Sequence, residues 1–191
     1  NQKGGVGKTL VCANLSVALA KSGYRVVALD TDLEGANLPT CLGVSAPRVS
    51  LADFVAERES DLAKLTVATS VPNLQLIAAT YGHLASAQPG ATRRIELLAG
   101  LRRLDCDVVL VDCGAGSHAA TVDYFLVGDG GLLVMHPEPT SVENTYSFLR
   151  AAFYRRMQVA MKKHEVRDRI REAMDQRNQR GIRTPLDLLH E

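Results

Sequence analysis

The sequence predicts an α/β domain, a doubly wound, mostly parallel sheet flanked by helices, and three observations carry that prediction. Short apolar runs at 25–29, 108–111 and 132–135 alternate with stretches of helical periodicity, the pattern of parallel strands joined by crossover helices. Two of those runs lead into an aspartate, Asp30 and Asp112. A glycine-rich run, Gly4, Gly5 and Gly7, leads into the first helical stretch.

Each element has its own signal. Residues 10–22 place Leu15, Ala18 and Leu19 at helical spacing, and Gly23 follows as a C-terminal cap. Residues 25–29 form a continuous apolar run, the look of a strand buried on both faces. Residues 35–43 read as loop and a short helix, and Ser50 as the N-cap of another. Runs at 65–67 and 74–77 flank Val71-Pro72-Asn73, so two short strands around a turn are expected. Residues 91–104 carry Ile95, Leu97, Leu98 and Leu101 at helical spacing. The strand at 108–111 is the strongest, and 132–135 is expected as the next. Helices are expected at 141–157 and 165–177. We read residues 1–191 as a single domain, with 163–180 an inserted or peripheral helix. No strand precedes the opening loop and none closes the chain after it, so the domain reads as partial, truncated at both ends.

Composition narrows the classes. Hydrophobic residues make up 46% and charged residues 23% of the 191, enough for a core and against disorder. A net charge of +1 gives no whole-molecule attraction to nucleic acid or acidic lipid. Cys12, Cys41, Cys106 and Cys113 form no CxxC pair and sit in or beside apolar runs. They read as buried, reduced thiols of a cytoplasmic protein. His83, His136 and His164 show no ligand spacing with cysteine, so no structural metal is expected. His118 reads as a helix-start residue. The basic pairs Arg93-Arg94, Arg102-Arg103, Arg155-Arg156 and Lys162-Lys163 read as solvated helix faces, not as a nucleic-acid track. No apolar run approaches the ~20 residues of a membrane span.

The chemistry is concentrated in the opening Asn1-Gln2-Lys3-Gly4-Gly5-Val6-Gly7-Lys8-Thr9. Glycines let successive backbone N–H groups turn toward phosphate oxygens, and the following helix adds its N-terminal dipole. A lysine and a hydroxyl residue then reach the distal phosphates and a magnesium ion. The strict phosphate-loop spacing fails at its first glycine, where Gln2 stands, and a second lysine, Lys3, precedes the double glycine. Two acidic motifs, Asp30-Thr31-Asp32 and Asp112-Cys113-Gly114-Ala115-Gly116, follow strands. In a doubly wound sheet ligands sit at the carboxyl ends of the strands, which brings both motifs to the loop. An aspartate at a strand end is ordinarily a turn former. The order and spacing of the three motifs together outweigh that reading.

Lys-Gly-Gly-Val-Gly-Lys-Thr resembles the deviant Walker loop of the MinD/ParA superfamily of P-loop ATPases. Gly35-Ala36-Asn37-Leu38 and Pro137-Glu138-Pro139-Thr140-Ser141 are similar to its MinD and flagellar-number branch, and the likeness continues through Ala151 to Arg156. It covers Asn1 to Arg156, roughly four fifths of the chain. The resemblance implies ATP or ADP with magnesium as ligands. Gly4, Gly5, Val6, Gly7, Lys8, Thr9 and Leu10 would bind the nucleotide. Thr9, Asp30 and Asp112 would serve the metal, the carboxylates largely through water. Asp32 would orient the attacking water, and Gly114 and Gly116 would form the second switch. Lys3, Lys8 and Asp32 would be catalytic.

The same resemblance implies a homodimer that sandwiches two nucleotides, with Lys3 reaching across to the partner's phosphates. Hydrolysis, slow and partner-stimulated, would then time contact with an activating or regulated protein. The leading function is therefore an ATP-hydrolysing switch that positions cellular machinery. The alternatives are a partition ATPase that binds DNA non-specifically, and a small-molecule enzyme on the same fold. Leu10 departs from the threonine common at its place and removes a hydroxyl from the loop. The base-binding strand and the membrane-targeting tail of some members lie outside this sequence, so membrane contact would need segments absent here. Iron-protein relatives carry a cluster cysteine where Ala119 stands, which argues against a cluster.

Overall fold

The computed structural model describes residues 5–32, 35–79 and 89–160. The chain divides into two compact units, Asn1–Ala115 and Gly116–Glu191. The helix expected at 165–177 lies outside the described residues.

The first unit holds a four-stranded sheet. Its strands are β1 (Val26–Asp30), β2 (Val67–Ala68), β3 (Leu74–Ile77) and β4 (Val108–Asp112), in the order β2-β3-β1-β4. β3, β1 and β4 run parallel, and β2 pairs antiparallel with β3. Every residue of β1 is buried, as its unbroken apolar run requires of a strand covered on both faces. Helix α1 (Lys8–Lys21) packs on β1, β3 and β4. Its Ala13 and Ala20 join Val26, Ala28, Leu74, Leu76 and the short helix α2 (Leu38–Cys41) in one core cluster. Small residues on α1 allow that close approach. Ser22 closes the helix, and Gly23 follows at φ +95, as its C-cap signal predicts.

Strand side chains alternate, so Val27 and Leu29 point to the other face of β1. Helix α3 (Leu51–Val55) begins at the end of β3, its Leu51 and Ala52 N–H groups donating to the carbonyls of Ala78 and Ala79. Ser50 caps it through a reciprocal capping box with Asp53. Helix α4 (Ala91–Leu101) lends Arg93 to the far end of α3. The Arg93 guanidinium lies 4.0 Å from the Phe54 ring centre and donates to the Phe54 carbonyl at 2.9 and 2.6 Å. Arg94 donates to the Pro89 carbonyl at 3.1 Å. This arginine pair thus holds structure rather than forming a solvated face.

The second unit pairs α5 (Ala119–Val127) with α6 (Pro139–Ala160). Phe125 meets Phe148 edge to face at 5.1 Å, and Arg155 grips Asp123 through two bonds of 2.8 and 3.1 Å. Arg155 is therefore also committed internally.

Two expectations are corrected. Residues 132–135 form no strand: they join no ladder, and Leu132 is 67% exposed. An apolar run becomes a strand only where neighbouring backbone offers hydrogen bonds, which periodicity does not reveal. Leu65 belongs to a 3₁₀ helix, Leu62–Leu65, capped by Asp61, and the strand starts at Val67. Only the start of α5, at His118, was expected, because its body is apolar on nearly every side and has no amphipathic period to read.

Candidate functional site

The loop and both acidic motifs meet at the carboxyl end of the sheet. Gly5 and Gly7 lie at φ +120 and +92, the left-handed region in which glycine carries no steric penalty. Gly7 is the N-cap of α1, so Lys8 and Thr9 fall in its first turn, where backbone N–H groups have no partner within the helix. A phosphate is the natural guest of that end. Val6 is half-buried, and Leu10 is 60% exposed. Lys3 and Gly4 lie outside the described residues.

The Thr9 hydroxyl lies beside the Asp112 carboxylate, where the start of α1 meets the end of β4. Asp112 is 4% exposed. Burial pushes its carboxyl above the ordinary range, the Thr9 hydroxyl and the nearby Lys8 charge pull it back, and Asp32 adds repulsion.

Asp30 and Asp112 form the last rung of the β1–β4 ladder. The Asp30 side chain is fully buried. One oxygen accepts from the Asp32 N–H at 2.9 Å and the other from the Leu38 N–H at 3.2 Å. Desolvation pushes its carboxyl up to about 7, with Asp112 and Asp32 adding to the rise and the two N–H bonds opposing it. Asp32 accepts from the Gly35 N–H at 2.9 Å. It also lies close to Gly114, where an added Cβ would stand 3.5 Å from the Asp32 carboxyl carbon. Both aspartates therefore shape the turn as well as carrying charge. Gly116, at φ +100, belongs to the second unit, as does His118, the N-cap of α5.

The donor set suits magnesium. It is made of hard oxygens, and the buried carboxylates carry repulsion that a dication would relieve. Among the described residues no three His, Cys, Asp or Glu side chains are disposed to hold a metal by themselves.

Two thiols border the site. Cys12 and Cys113 are both pushed up to about 12, chiefly by burial and then by Asp112. They stay neutral at physiological pH. The four cysteines are not the buried set expected from their apolar neighbours: Cys41 is exposed and the other three are half-buried, because an apolar run need not turn every side chain inward.

A left-handed loop opening a helix beside a strand-end carboxylate, with a lysine between them, answers to a polyphosphate. By class this is a nucleotide-binding α/β domain. The chain belongs to the CobQ/CobB/MinD/ParA nucleotide binding domain family, which it matches over residues 1–183.

Its relatives include the antiactivator FleN of Pseudomonas aeruginosa, 33% identical over 150 residues, covering 78% of this chain and 52% of that protein. The Pyrococcus furiosus cell division ATPase MinD is similar in structure, with a TM-score of 0.66 at 34% identity, covering 75% of this chain and 60% of that one. The septum site-determining MinD of Pyrococcus horikoshii, solved with Mg-ADP, gives 0.66 at 32% identity, covering 74% and 58%. The chain spans about half the length of the curated relatives it matches. Among the described residues no helix is long and apolar enough to cross a membrane.

Asp30 gives stability a pH dependence of definite sign. Its pKa of about 7 lies above the ordinary 3.8, so the folded chain binds this proton more tightly than the unfolded one. The resulting stabilisation is full below the ordinary value and is lost as pH rises through about 7. Asp112 acts in the same direction. The lowered carboxyls of Asp53 and Glu59 act oppositely, but only as pH falls below their ordinary 3.8 and 4.5. Without nucleotide or magnesium, the melting temperature is expected to fall by several degrees from about pH 5 to about pH 8. Thermal melts across that range test it, and a flat profile would contradict the burial of Asp30.

Proposed function

We propose that this chain is the nucleotide-binding core of a cytoplasmic ATPase that works as a dimerisation switch and positions cellular machinery, of MinD or flagellar-number type. Both units are read as parts of one domain, since the family match runs across them. The observation that carries the reading is the meeting of Thr9 with Asp112. It brings the phosphate loop to the end of β4, beside the end of β1 that carries Asp30, with Asp32 close by.

The loop N–H groups and Lys8 hold the phosphates of ATP. Thr9 serves the magnesium ion directly, and Asp112 and Asp30 act on it largely through water. That ion supplies charge neutralisation at the β and γ phosphates. Asp32 orients the attacking water. Lys3 reaches the partner's phosphates in the homodimer, placing positive charge where the transition state gains negative charge. Hydrolysis then ends contact with a protein partner. Nucleic acid is not part of this reading, because Arg93, Arg94 and Arg155 are engaged within the protein.

The experiment is Lys3→Ala in the full-length protein. The variant is expected to bind nucleotide but to lose ATP-driven dimerisation and turnover, followed by light scattering with a slowly hydrolysed ATP analogue. A normal dimer would refute the cross-subunit role.

A further inference from the structure

Between Asp30 and Asp32 stands Thr31, to which the functional reading gives no role. It is 5% exposed. One step beyond the last rung of the β1–β4 ladder, both of its donors turn on one acceptor. Its N–H donates to the Asp112 carbonyl at 3.1 Å, and its Oγ1 donates to the same oxygen at 2.9 Å. A ladder ordinarily supplies one of these bonds; here the side chain adds a second and occupies the carbonyl's other lone pair. The Thr31 hydroxyl also lies beside the Cys113 side chain, so the contact extends past the end of β4.

This fastening sits where the fold is under electrostatic load. Asp30, Asp32 and Asp112 converge, and like charges at the ends of two strands drive those ends apart. Ladder bonds hold the strands up to Asp30 and Asp112. Beyond that rung Thr31 continues the hold, with one bond that any residue could make and one that needs a hydroxyl.

The geometry points to Thr31 as a positioning residue, whose hydroxyl clips the end of β1 to the end of β4 and keeps the three carboxylates at the spacing a magnesium–nucleotide complex takes. The inference rests on the nucleotide reading above. It concerns the metal half of the site, because Thr31 touches neither the loop glycines nor Lys8 in any bond described.

Thr31→Val tests it, because valine keeps the shape and the N–H bond and removes only the hydroxyl. Thr31→Ser restores the hydroxyl, and Thr31→Ala serves should valine unfold. ADP binding to the full-length protein is measured by calorimetry in EDTA and across a magnesium titration. Thr31→Val is expected to bind ADP like wild type in EDTA. Its half-saturating magnesium is expected to rise about fivefold, equal to about 1 kcal/mol. Thr31→Ser is expected to match wild type. An unshifted Thr31→Val, an equal loss in EDTA, or a serine variant as weak as valine overturns the inference alone. Wild-type protein that fails to bind ADP in both conditions overturns the nucleotide reading, and the inference with it.

Discussion

Replacing Lys8 with alanine is expected to abolish nucleotide binding. Lys8 opens α1 immediately after the left-handed Gly7, with its charge close enough to Asp112 to lower that carboxyl. It is the loop's side-chain cation within the described residues. A charged hydrogen bond to phosphate is worth about 1.5–3 kcal/mol by itself. Its loss here also leaves Asp112 without its neighbouring cation, so the site turns more repulsive to an anion. We expect affinity to fall by at least about a hundredfold, below the reach of a fluorescent-nucleotide titration. Unchanged affinity would remove the phosphate-loop assignment.

The second large effect is expected at Asp32, and it separates binding from turnover. Asp32 lies beyond the end of β1, near Gly35 and Gly114. Removing its carboxylate leaves Gly5 to Thr9 and Asp112 in place. Phosphoryl transfer depends mostly on positioning, so an oriented water is what Asp32 contributes. Asp32→Ala should bind ATP, dimerise and remain dimeric, with turnover reduced by about 10²-fold or more. Because the alanine also frees the Gly35 N–H, Asp32→Asn is the control: it keeps an acceptor for that bond while losing the charge. Asp30→Ala should instead weaken magnesium-dependent binding. Normal hydrolysis by Asp32→Ala in the partner-stimulated protein would end the assignment of Asp32 as the residue that orients the water.

Much of this site was legible because its signals are local. Glycines before a lysine and a threonine announce a loop whose torsions only glycine reaches cheaply, and Gly5 and Gly7 adopt them. The runs before Asp30 and Asp112 are unbroken and apolar, as a strand buried between layers must be, and those two strands pair in register. What escaped the sequence depends on partners far away in the chain. Residues 132–135 have the composition of a strand and no ladder to join. Arg93 looked like one of several solvent-facing arginines, yet it closes α3 through the Phe54 carbonyl, 39 positions distant. Thr31 escaped for the same reason: its acceptor lies 81 positions away. Spacing along the chain says nothing about such a bond.

The positive torsions of Gly5 and Gly7 carry one more consequence, about handedness. An added Cβ would meet nothing within 4 Å at either position. Room is therefore not what excludes a larger residue there; chirality is. An L-alanine would pay for its mirror-image torsion, roughly 1–2 kcal/mol per residue. A D-alanine installed by chemical ligation at Gly7, which sits at φ +92 and ψ 14, would occupy its own preferred basin. It would also narrow the loop's freedom before any ligand arrives. The cradle is thus a stretch of backbone wound with the opposite hand to the helix it opens, and an all-L alphabet can write that turn cheaply only with its achiral letter.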